Sequence, residues 1–143
     1  ESMGAVITLS EESELIEAQR RLRESDQRLR AVMSHSLTAV AVKDMSGRYE
    51  YVNPRFCEVF GISPEDLLGR TDQQVFSAEL AAQMRERDLD TWRQDGLFES
   101  NDALALPVGT RRFRAIRFPL KDEEGVSYAL CVKFAIDRPV VDA

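Results

Sequence analysis

An apolar residue recurs at every seventh position in the first part of the chain, at Leu15, Leu22 and Leu29, with Ala18, Ser25 and Val32 three places after each. That spacing lines the side chains along one seam of an α-helix and matches the a and d positions of a coiled coil. From Glu11 to Ser34 there is neither Gly nor Pro, and Ser10 ahead of Glu11, Glu12 and Glu14 reads as an N-cap with first-turn acids. In this register Arg21 takes a g position and Asp26 the following e, so a parallel partner helix would set opposite charges together. The seam lasts under three heptads and has Ala or Ser at two of its d positions. Two readings stay open: a dimer seam of Leu15, Ala18, Leu22, Leu29 and Val32, or an amphipathic face packed on the chain's own core.

After Ser34 the period changes from helical to alternating. Thr38 to Asp44 and Arg48 to Asn53 read as strands joined by the turn Asp44-Met45-Ser46-Gly47. Asn53-Pro54 then caps a short helix carrying Phe56, Val59 and Phe60, which Gly61 ends. Ser63-Pro64 and Thr71-Asp72 open two more short helices, and Ser77 caps a longer one to about Gln94 with Leu80, Met84, Leu89 and Trp92 as its buried face. The last third is strand again, over Leu97 to Leu104, Arg111 to Leu120 and Val126 to Ile136. In the middle one, Phe113 and Ala115 alternate in one phase while Ile116, Phe118 and Leu120 alternate in the other, which implies a bulge or cover on both faces. In the final one, Val126, Tyr128, Leu130, Val132, Phe134 and Ile136 occupy every second position and read as core. Two strands, a run of helices and three strands define an α+β domain, with one antiparallel sheet and its helices on one side.

The net charge of −6 over 143 residues argues against nucleic-acid partners, which require a basic surface, and no stretch is long and apolar enough for a membrane contact within this segment. Cys57 and Cys131 form no CxxC pair, so they read as free, buried thiols of a reducing, cytoplasmic compartment. There is no Gly-rich phosphate loop, no nucleophile motif and no metal-ligand spacing, and hence no catalytic or metal residue to name and no enzyme expected. Four arginines, Arg111, Arg112, Arg114 and Arg117, concentrate on one strand. The first three read as a solvated face, whereas Arg117 shares the phase of Phe113 and Ala115 and points inward, able to meet a carboxylate or phosphate. With Phe76, Met84 and Trp92 it makes a candidate ligand pocket, the alternative for the apolar three being ordinary core packing. Asn101 and Asp102 mark their strand as an edge, the alternative being hydrogen bonds into the pocket.

These residues in this order resemble a PAS domain, the small sensor module of bacterial signalling proteins. The resemblance covers about Leu29 to Asp137 and rests on the Tyr51-Val52-Asn53-Pro54-Arg55-Phe56 junction, the Gly61 to Arg70 run, the Thr71-Asp72 helix start, the Asp95-Gly96 turn and the Pro119 to Gly125 hairpin. It implies a five-stranded sheet in the order 2-1-5-4-3, with helices cupping a pocket and an N-terminal helix that pairs subunits. Residues 1–10 then read as the end of a preceding segment or linker, 11–34 as a signalling helix, 35–137 as the sensor domain and 138–143 as a tail in which Pro139 interrupts the usual output helix. Asp72 stands where flavin-reactive members carry cysteine, and Ala78 to Gln94 lacks a haem-ligating histidine, so no cofactor is implied. His35, the sole histidine, lacks the acidic residue that follows a kinase phospho-acceptor. By resemblance the parent is a sensor histidine kinase or, second, a diguanylate cyclase, with its output domain in the same polypeptide, acting as a homodimer on a small-molecule ligand. The alternative is a ligand-free interaction or spacer domain.

Overall fold

The computed structural model describes the backbone of residues 2–136 and the side chains of residues 10–136. The elements in chain order are α1 (Ser2–Ser34), β1 (Ala39–Asp44), β2 (Tyr49–Val52), α2 (Pro54–Phe60), α3 (Pro64–Leu67), α4 (Asp72–Val75), α5 (Ala78–Gln94), β3 (Phe98–Leu106), β4 (Gly109–Lys121) and β5 (Ser127–Ile136). α1 belongs to one compact unit, which ends at His35, and the residues from Ser36 form another. The helix passes through Ser10 instead of starting after it. Gly4, Ile7 and Thr8 lower helix propensity, but none of them breaks the backbone ladder as proline would. Leu15, Leu22, Leu29 and Val32 are all exposed on α1, along with Ile16. The expected interruption at Pro139 and the tail 138–143 lie outside the described residues.

The second unit is a single antiparallel sheet in the order β2-β1-β5-β4-β3, as the resemblance implied. Ala41 faces Val132 and Ala115 faces Phe134, so Ala39, Ala41, Val132, Phe134, Phe113 and Ala115 share the face that carries the core. The two phases of β4 reflect cover on both faces: Phe113, Ala115 and Arg117 are buried inward, and Ile116, Phe118 and Leu120 are half-buried on the other side. Pairing of β4 with β5 is regular up to Leu120, where a bulge leaves Tyr128 with no residue opposite. That bulge corrects the expected core face of β5. Tyr128 is 55% and Val126 58% exposed, because the turn carries both away from the sheet centre, whereas Ala129 and Cys131 between the core residues are buried.

Short-range chemistry sets the helix ends. Asn53 is buried, and its Oδ1 accepts from the Phe56 and Val40 amides, each at 2.9 Å, while its Nδ2 donates to the Thr38 carbonyl at 2.8 Å. One side chain thus caps α2 and fixes it to β1. Gly61 closes α2 in the left-handed region at φ 68°, where a Cβ would be strained. Thr71 and Gln74 form a capping box on α4, and Ser77 Oγ accepts from the Leu80 amide at 3.2 Å to start α5. The buried stripe of α5 is Leu80, Ala81, Met84 and Thr91. Leu89, expected in that stripe, is 37% exposed, because Asp88 takes the inward position between Met84 and Thr91.

The strand β3 is an edge, as Asn101 indicated, but Asp102 points inward and is buried. Its free backbone is partly closed by α5: Gln83 Nε2 donates to the Ala103 carbonyl and its Oε1 accepts from the Ala105 amide, both at 3.0 Å. The amide behaves as a neighbouring strand's peptide group would.

Candidate functional site

Charged side chains occupy the middle of the core face. Sheet register puts Lys43 opposite Leu130 and Arg117 opposite Val132, so two cations flank β5 on the side that α5 covers. Both are fully buried. Lys43 Nζ donates to Asp72 Oδ2 at 2.6 Å and to Asp88 Oδ2 at 2.8 Å, and lies 5.0 Å from the centroid of the Tyr49 ring. The Tyr49 hydroxyl donates to the other Asp72 oxygen. Arg117 Nε lies 3.2 Å from Asp88 Oδ1, and its Nη1 donates to Asp102 Oδ2 at 2.9 Å. Arg87 reaches the remaining Asp102 oxygen as an ion pair at 3.2 Å. Buried charges persist in this way only when each is paired and hydrogen-bonded. Asp88 is the bridge, one carboxylate from α5 joined to cations on β1 and β4.

The electrostatics keep these groups in their bonded forms. Burial pulls the Lys43 ammonium down, and attraction to Asp88 and Asp72 outweighs it, so its pKa lies above the ordinary value. Burial, and then the Asp72 charge, lift the Tyr49 phenol well above its usual value. Both folded-state pKa values are raised, so their contribution to stability is complete below the ordinary values near pH 10 and is lost as pH rises through the folded ones. The urea midpoint is therefore expected to hold up to about pH 9.5 and to fall steeply above about pH 10. Tyr49→Phe should flatten that fall, and a wild-type midpoint unchanged at pH 11.5 would contradict the assignment. Both thiols are raised by burial and neither is in a disulfide; Cys131 is buried as expected, whereas Cys57 is half-buried.

An open cleft of about 280 Å³ adjoins the charged cluster. Its floor is Lys43, Asp72, Asp88 and Leu130, one wall is the Asp44 to Gly47 turn, and the other is the α5 face of Ala81, Arg85, Leu89 and Trp92. Asp44 is held in its own turn, its Oδ1 accepting from the Ser46 and Arg48 amides and the Ser46 hydroxyl, which together lower its pKa. A second cleft of about 340 Å³ lies between Phe60, Phe76, Leu80, Leu106 and Pro107. The residues expected to share one pocket are thus distributed: Trp92 lines the first cleft, Phe76 the second, and Met84 and Arg117 are fully buried. Arg117 meets carboxylates as its phase implied, but they are the protein's own, with Met84 Sδ 3.9 Å from its Nη2. Sequence reasoning missed Lys43, Asp72 and Asp88. A lysine in phase with Ala39 and Ala41, and an aspartate in phase with Leu80, Met84 and Thr91, were the signals available.

A small antiparallel sheet with four helices, α2 to α5, on one side, and a cleft beside the β1–β2 turn, is the architecture of a sensory signalling module. This chain belongs to the PAS family: the family model described as the PAS fold matches residues 33–134. A methanogenesis regulatory histidine kinase, FilI, of Methanothrix harundinacea is 29% identical over 118 residues, 82% of this chain and 13% of that protein. The C4-dicarboxylate transport sensor protein DctS of Rhodobacter capsulatus is 42% identical over 62 residues, 43% of this chain and 9% of that protein. The chain therefore spans a small part of these curated relatives. Among solved structures, the PAS domain of Bordetella pertussis BvgS superposes with a TM-score of 0.68 at 18% identity, covering 82% of this chain and 89% of that one. No helix among the described residues is long and apolar enough to cross a membrane.

Proposed function

We propose that this PAS domain is the sensory part of a cytoplasmic histidine kinase, acting as a homodimer through α1, with its output domain in the same polypeptide. A histidine kinase and a sensor protein among the relatives support the class of parent protein. The mechanism rests on the Asp88 bridge. Lys43 and Arg117 are sealed from solvent, and the Asp88 side chain, 15% exposed, lines the cleft. A small molecule in the cleft touches that carboxylate and α5 together, and α5 is tied through Asp88 to β1 and β4. A ligand that favours one placement of α5 shifts the population of sheet arrangements, which is the form of signal a domain of this size can pass on. The exposed Leu15, Leu22 and Leu29 supply an apolar seam for the second subunit.

Native mass spectrometry of the intact chain tests both parts. A dimer with retained mass is the expected result, accompanied by rapid symmetric disulfide formation in Leu22→Cys and slow formation in Gln27→Cys, on the opposite face of α1. A monomer at all accessible concentrations would overturn the dimer. A dimer that never retains or gains a small molecule would favour the ligand-free interaction domain, a reading supported by how completely Met84, Phe113 and Phe134 fill the interior.

A further inference from the structure

The reading of the cleft as a sensor site leaves open what enters it, and the hydrogen-bond inventory of the cleft narrows the chemistry. At the floor every carboxylate oxygen is engaged: those of Asp72 by Tyr49 and Lys43, those of Asp88 by Arg117 and Lys43. Lys43 is taken up by Asp72 and Asp88, and Arg117 behind the floor is shared between Asp88 and Asp102. The floor therefore offers an incoming molecule neither a free anion nor a free cation.

The α5 wall differs. The Arg85 guanidinium is exposed and makes no ion pair or hydrogen bond among the described residues, although Arg87 and Arg93 on the same helix both pair with Asp90. Trp92 is half-buried, and its indole N–H likewise has no acceptor among them. The two residues stand seven apart, two helical turns and about 10 Å along the axis, on one face of α5 with Leu89 between them. Ala81, Leu89 and Leu130 complete an apolar surface. On the α5 wall the uncommitted groups are thus donors, one of them a charged fork suited to a carboxylate, beside an aromatic face and aliphatic side chains.

We propose that the cleft takes a small apolar carboxylic acid, its carboxylate on Arg85 and its hydrocarbon body against Leu89 and Trp92. The proposal rests on the cleft being a ligand site, and the test separates the two. Trp92 is the only tryptophan of the chain, so its emission reports occupancy directly. The 143-residue chain is titrated with phenylacetate, with its neutral isostere phenylacetamide and with the cation phenethylamine, in wild type and in Arg85→Gln. Arg85 has no partner to lose, so the variant folds, as its unchanged thermal midpoint will verify.

The expected result is a saturable Trp92 response to phenylacetate, with phenylacetamide weaker by about tenfold or more, and loss of that preference in Arg85→Gln. Equal affinity for acid and amide in wild type, preference for the amine, or a preference for the acid that survives Arg85→Gln, would each overturn the carboxylate assignment while leaving the cleft a ligand site. No Trp92 response to any of the three probes would overturn both this assignment and the reading of the cleft beneath it.

Discussion

Arg117→Met lowers the folding free energy by about 3–5 kcal/mol, the size expected when one partner of a buried ion pair is removed and the other stays behind. The guanidinium is fully buried, and its loss leaves Asp102 with only the half-exposed Arg87 and leaves Asp88 with only Lys43. Met matches the length of the lost chain, so the cost reports the stranded carboxylates more than a cavity. Urea denaturation followed by Trp92 fluorescence measures it. The control is Arg112→Met on exposed β4 backbone, where a change within about 0.5 kcal/mol is expected. Adding Asp102→Leu to Arg117→Met should recover part of the loss, since the remaining Asp88–Lys43 pair is still complete. A cost under about 1 kcal/mol for Arg117→Met alone would show that water reaches the cluster and that the Asp88 bridge is weak.

Phe60→Ala is the second large effect, at about 3–5 kcal/mol. Phe60 is the hub of the aromatic core, with ring centroids 4.3 Å from Phe56, 5.5 Å from Phe134, 5.7 Å from Phe76 and 6.1 Å from Phe113. These neighbours come from two strands, from the preceding turn of α2 itself and from the C-cap of α4, and they cannot all move into the space that one ring leaves. The same denaturation experiment measures it, and a loss below about 1.5 kcal/mol would mean that the second cleft, which Phe60 lines, lets the core relax.

The chain's own patterning made the element order legible because its punctuation is chemically specific. Asn53-Pro54 and Ser77 each have one strongly favoured use, at a helix start, and each is found there. The order of strands came from resemblance, since alternation reports which face is buried and is silent on which strand lies beside which. Alternation failed at Tyr128, where a bulge resets the phase, and helical periodicity failed at Leu89, displaced from the buried stripe by an aspartate. The site was legible at Arg117, whose phase gave its direction, and at Trp92, which lines the first cleft. Its partners were hidden for a physical reason. An aspartate at a helix position reads as solvated unless a cation approaches it from a distant strand, and Lys43 and Asp88 are joined only by the tertiary fold.

The side chain that closes the β3 edge sets an unusual demand on spelling. Gln83 must donate a hydrogen bond to the Ala103 carbonyl and accept one from the Ala105 amide. Glutamate has the same shape and lacks the proton, so its carboxylate would face a carbonyl oxygen with nothing between them, and asparagine is one methylene too short to reach. Deamidation at this one position, a slow chemical ageing that adds a single negative charge and changes almost no volume, would turn a clasp between helix and strand into a point of repulsion.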